Sequence, residues 1–119
     1  MKPLSLSDRR HVEAAKGWCE LHAFTEANAE LEEVAAEQRA QPHVLEVRWQ
    51  VYANIENWEG ALELANAIAR MLPSRPDGYI YTASSLRDLG REDEALLALL
   101  QAVDLFPQDE ILLSEPVWY

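Results

Sequence analysis

Apolar residues recur at helical spacing along most of the chain. In residues 76–109, Tyr79, Ala83, Leu86 and Leu89 fall on one face of a first helix. Ala95, Leu96, Leu99, Ala102, Val103 and Phe106 fall on one face of a second. Pro76 suits the opening of the first helix, Gly90 the turn between the two, and Pro107 the stop. Residues 42–75 repeat the arrangement. Leu45, Trp49, Tyr52 and Ile55 predict one stripe, and Ala61, Leu64, Ala65, Ile68 and Leu72 predict another that ends at Pro73. Residues 8–41 follow more loosely, through Ala15, Trp18 and Leu21, then Ala27, Leu31, Val34 and Ala35. No proline closes this stretch; Arg39 stands in the place of Pro73.

The stripes share one period. Ala27, Ala61 and Ala95 are 34 residues apart, as are Phe24, Trp58 and Glu92. The same interval relates Trp18, Tyr52 and Leu86; Leu21, Ile55 and Leu89; and Val34, Ile68 and Ala102. It also relates Pro42 to Pro76 and Pro73 to Pro107. A two-helix unit of this size cannot bury both of its stripes alone, and stacking on a neighbour completes the core. The predicted fold is therefore all-α: a single domain over residues 1–119, built as an α-solenoid of three antiparallel helix pairs, 8–41, 42–75 and 76–109. Residues 110–119 read as an apolar C-terminal cap or contact segment. Ile111, Leu113, Val117 and Trp118 would bury against the third pair or against another copy of the chain, and Pro116 limits any helix there to a short turn.

Composition sharpens this picture mainly by exclusion. An apolar fraction of 49% over 119 residues suffices for a sizeable core. Twenty-one acidic residues against ten basic ones give a net charge of -11, the opposite of a nucleic-acid footprint. The imbalance is uneven: residues 1–19 carry a net +2 and residues 20–63 a net -8. No apolar run reaches the length of a membrane span, and none follows the N-terminus in the manner of a secretory signal. The lone Cys19 forms no internal disulfide, so a cytoplasmic setting is expected.

Candidate chemistry is sparse. His11, His22 and His43 are too widely spaced to place two ligands on one helical turn, so no metal or cofactor is expected. Lys16 three residues before Cys19 would lower its pKa, but the only histidine within helical reach, His22, falls near the helix end. Glu30, Glu32, Glu33 and Glu37 read as a solvated face, and Arg87, Asp88, Arg91, Glu92 and Glu94 as local salt bridges. The expectation is a protein without enzymatic activity.

The size pattern within each period resembles the tetratricopeptide repeat family. Residues 76–109 carry the likeness best, through Tyr79, Ala83, Gly90, Ala95, Leu99, Ala102 and Pro107, and through the run from Leu89 to Ala95. Residues 42–75 share Leu45, Tyr52, Trp58, Ala61, Ile68 and Pro73, departing at Trp49 and Ala65; residues 8–41 share Trp18, Phe24, Ala27 and Leu31. The resemblance implies a right-handed superhelix with a concave groove lined by the first helices. Groove positions then fall at Arg9, Val12, Lys16, Cys19 and Glu20, at His43, Glu46, Gln50, Ala53 and Asn54, and at Asp77, Ile80, Ser84, Arg87 and Asp88. It further implies a scaffold module that binds a protein or peptide. Lys16, Asn54 and Arg87 loosely match the set with which some members grip a terminal carboxylate, but Glu46, Ala53 and Ser84 interrupt it. A second expectation is a small, acidic, cytosolic secretion-type chaperone, although this chain is shorter than those and lacks their longer first helix. A third, an enzyme or metal site in the groove, has no supporting constellation.

Overall fold

A computed structural model describes residues 3–108. Six α-helices follow one another: α1 (Leu6–Glu20), α2 (Phe24–Glu32), α3 (Pro42–Asn54), α4 (Trp58–Met71), α5 (Asp77–Asp88) and α6 (Glu92–Leu105), with a 3₁₀ turn at Ala36–Gln38 between α2 and α3. The described residues contain no strand, and no helix among them is long and apolar enough to cross a membrane. They fall into two compact units divided between Asn57 and Trp58, α1–α3 in one and α4–α6 in the other. The division lies inside the expected pair 42–75.

The ends of α1, α3 and α5 share one backbone device. Each of these helices is followed by a residue in the left-handed region: His22 (φ 59°), Glu56 (φ 62°) and Gly90 (φ 79°), again 34 residues apart. After α5, the Arg91 amide donates to the Leu86 carbonyl and the Gly90 amide to the Arg87 carbonyl, both at 2.9 Å. After α1, Ala23 donates to Trp18 at 2.8 Å and His22 to Cys19 at 3.0 Å. This pair of bonds satisfies carbonyls that a helix end leaves open. After α3, Asn57 donates to Tyr52 at 2.9 Å. The helices that follow begin at Phe24, Trp58 and Glu92, on the same interval.

α1–α3 enclose a core of Val12, Ala15, Cys19, Ala27, Leu31, Val34, Val44, Val47 and Val51. Two expected stripes are turned relative to this core. On α1 the buried line is Asp8, Val12, Ala15 and Cys19, whereas Trp18 and Leu21 are 37% and 71% exposed. On α3, Val44, Val47 and Val51 are buried, Leu45, Trp49 and Tyr52 are half-buried, and Ile55 is exposed. Each shift amounts to about one residue, or roughly 100° around a helix.

Asp8 ties the buried face of α1 to the chain beyond α2. Its amide is capped by the Ser5 hydroxyl at 3.0 Å, and its buried carboxylate accepts the Ala35 amide at 3.1 Å, just beyond α2. A buried donor left unpaired is costly, so this bond pins one face of α1 inward. α2 itself is short. Its last turn is rich in glutamate, which opposes the negative end of the helix dipole. Arg39 compensates: its guanidinium donates to the Val34 carbonyl at 2.9 Å and the Glu32 carbonyl at 2.6 Å. An arginine thus closes the helix where a proline closes α4.

In the second unit, α5 packs against both α4 and α6. Ala61, Ala65 and Ile68 are buried on α4, Ala83, Ser85 and Leu86 on α5, and Ala95, Leu99 and Ala102 on α6, with Tyr79, Ile80, Val103 and Phe106 packed at the edge of this core. These positions follow the sequence stripes closely. α4 and α5 approach closely at Gly78, where an added Cβ would lie 2.5 Å from the Ala69 Cα. No side chain fits such a gap without a backbone shift.

Candidate functional site

The exposed face of α1 carries Arg9, Glu13, Lys16 and Glu20 at spacings of four, three and four residues, which aligns them along one side of the helix. α3 packs beside α1 and presents His43, Glu46, Gln50 and Asn54 at spacings of three, four and four. Glu13 joins the two helices: one carboxylate oxygen lies 3.7 Å from Lys16 Nζ and 3.7 Å from His43 Nε2. The structure thus brings Lys16 and His43 together around a residue that the sequence reading did not single out. Both ion pairs are solvent-exposed, so they orient side chains more than they stabilise the fold. The resulting strip is mixed in sign.

Several expected site residues take other roles. Val12 and Cys19 are buried in the first core and do not line an open surface; the rotation of α1 carries them inward. Burial pushes the Cys19 thiol above its ordinary pKa, and the ammonium that would have lowered it points to Glu13. Asn54 donates its amide to the Gln50 carbonyl of its own helix at 2.7 Å. On α5, Ser84 and Asp88 are half-buried, Arg87 is exposed, and Ile80 packs against the α5–α6 core. Asp77 pairs with Arg75 at the start of that helix. Ile111, Leu113, Val117 and Trp118 lie outside the described residues.

Two of the four glutamates read as a solvated face are in fact tied to other helices. Glu30 lies 2.8 Å from His11 Nδ1, and the Trp18 indole donates to its other oxygen at 3.5 Å. The His11 hydrogen bond holds the Glu30 carboxyl below the usual carboxylate range. Glu32 meets Arg48 at 3.1 Å, and Arg48 in turn lies over the Tyr52 ring, 5.9 Å from its centre. The charge pattern contained no signal for either partnership, because His11 and Glu30 are 19 residues apart. Beside Glu30, Ala14, Gly17, Trp18 and Leu21 line a shallow open depression of about 320 Å³. A second, of about 450 Å³, is lined by Leu6, Arg9, Arg10 and Glu13.

The described residues hold no cluster of three or more His, Cys, Asp or Glu side chains suited to a metal ion. Arg91 and Glu94 form a two-pronged pair at the start of α6, with one bond of 2.8 Å; the pairing draws the Glu94 carboxyl down and the Arg91 guanidinium up from their ordinary values. No protein-family model matches the chain, and no curated protein matches it.

Proposed function

We propose that the chain is a non-enzymatic binding module of the tetratricopeptide type, which engages a protein or peptide through the polar faces of its first helices. The observation that carries this reading is the interval shared by His22, Glu56 and Gly90 in the left-handed region and by the helix starts at Phe24, Trp58 and Glu92. A chain built from like helix pairs offers the same kind of face several times over, which suits an extended partner. The strip of Arg9, Glu13, Lys16 and His43 favours a partner that carries both signs of charge. It favours a free carboxylate less, since Lys16 is engaged by Glu13 and Asn54 by its own helix. The single thiol of Cys19 suits a reducing, cytoplasmic setting.

The test places a photo-crosslinking amino acid at one exposed position at a time. Lys16 and Gln50 lie on the strip, whereas Glu26 and Glu63 are exposed on the second helices. Illumination in cells that express the protein natively should give discrete adducts from positions 16 and 50 and none from 26 and 63. Adducts of equal yield from all four positions would overturn the assignment.

A further inference from the structure

The contact between successive helix pairs repeats with the period. In the first unit Glu32 of α2 meets Arg48 of α3 at 3.1 Å. In the second, the Thr82 hydroxyl of α5 donates to the Asn66 side-chain oxygen of α4 at 3.4 Å, and both residues stand 34 positions further on. The two helices run antiparallel there, since Ala69 lies against Gly78, one turn before Thr82. The same interval names the counterparts on α1. Thr82 and Arg48 correspond to Ala14, Ser85 and Val51 to Gly17, and Gly78 and Val44 to Arg10. Ser85 and Val51 are buried. On α1 this face is open: Arg10, Trp18 and Leu21 are exposed, and a Cβ added at Gly17 would meet nothing within 4 Å. A glycine inside a helix weakens it relative to alanine, and nothing among the described residues uses the room it leaves. We infer that this face of α1 receives α6 of a second copy of the chain, in a head-to-tail contact.

Register, size and charge select α6 as the occupant. One more step along the interval from Glu32 and Asn66 is Leu100, and one step from Ala69 is Val103. Leu100 is exposed, as is Leu97 one turn before it. In the register of α4 on α5, Leu100 falls on Ala14 and Val103 on Arg10. The two leucines then meet the small residues Ala14 and Gly17, in the depression walled by Trp18 and Leu21. Asp104, next to Val103, comes beside Arg10. α6 carries Glu92, Asp93, Glu94 and Asp104 with no basic residue, whereas residues 1–19 hold a net +2. The acidic side of one copy therefore faces the basic end of the next, and opposite charge favours this register over α1 on α1 or α6 on α6. The net charge of -11 on each copy opposes approach from a distance, and salt at about 0.15 M screens it beyond about 8 Å. The contact joins two different surfaces, so a bound pair still offers one free face of each kind unless the chain closes on itself.

Analytical ultracentrifugation of the full chain, from micromolar to millimolar concentration at physiological salt, tests the contact. The expected result is an average mass that rises above that of one copy as concentration increases. Gly17→Gln fills the open room on α1 without entering the chain's own core, and Leu100→Asp alters only the exposed side of α6. Each variant alone should stay monomeric, with the helical circular dichroism of the parent. Mixed in equal amounts they should form a 1:1 dimer, because each retains the face that the other lacks. Charge reversal gives a second reading that leaves both apolar patches intact. Arg10→Glu and Asp104→Arg should each weaken association several-fold, and the double variant should recover it. A parent chain that stays monomeric at millimolar concentration overturns the inference. Self-association that survives Gly17→Gln or Leu100→Asp assigns the contact to other surfaces and overturns it equally, as does a mixture of the two variants that remains monomeric.

Discussion

At the scale of single residues, the backbone constrains composition most strongly where α4 and α5 meet and where α1 and α3 end. Gly78→Ala places a methyl group against the Ala69 backbone and should cost about 1–3 kcal/mol through overpacking, seen as a lowered urea midpoint. His22 and Glu56 give the opposite expectation. A left-handed conformation costs an L-residue roughly 1–2 kcal/mol, and glycine gives back about half of that as lost chain entropy. His22→Gly and Glu56→Gly should therefore each raise stability by about 0.5–1 kcal/mol, measured by the same denaturation. Of the three left-handed positions only Gly90 was legible in the sequence, because glycine announces the conformation and histidine and glutamate do not. The period would have located the other two had it been extended from apolar positions to turns.

At the scale of elements, the α1–α2 pairing depends on charge state. The Glu30 carboxyl has a folded pKa below its unfolded value near 4.5, so its contribution is present above that value and lost as the pH falls through the folded one. Glu30→Gln should be less stable than the parent at neutral pH, and the gap should close as the solution becomes strongly acidic; urea midpoints of both proteins across that range read the difference. The stripe of α4 was legible in the sequence because that helix has a single apolar face. α1 has two. Ala14, Trp18 and Leu21 compete with Val12, Ala15 and Cys19, and the bulk of tryptophan and leucine makes the wrong face look dominant. The buried face also carries Asp8, whose carboxylate accepts the Ala35 amide, a long-range pairing that periodicity does not encode. The same rotation explains why Val12 and Cys19 appeared as groove residues and lie in the core, while Arg9, Lys16 and His43 were placed on the surface from sequence and are exposed or half-exposed there.

At the scale of the whole molecule, the chain behaves as two cores. Leu31→Ala should cost about 2–5 kcal/mol through cavity formation. Amide hydrogen exchange should show that loss concentrated in α1–α3, with α4–α6 affected less, as local opening in separate cooperative units requires. The division between Asn57 and Trp58 also has a practical consequence for dissection of the chain. A cut at 41/42, where the sequence period suggests a seam, would strip Val44, Val47 and Val51 from Val12 and Leu31 and leave both sides with raw apolar surface. A cut in the turn after α3 keeps that cluster whole. Fragments for expression, complementation or fusion are therefore best defined by the turn at Glu56 and Asn57, about half a period out of phase with the 34-residue interval of the sequence.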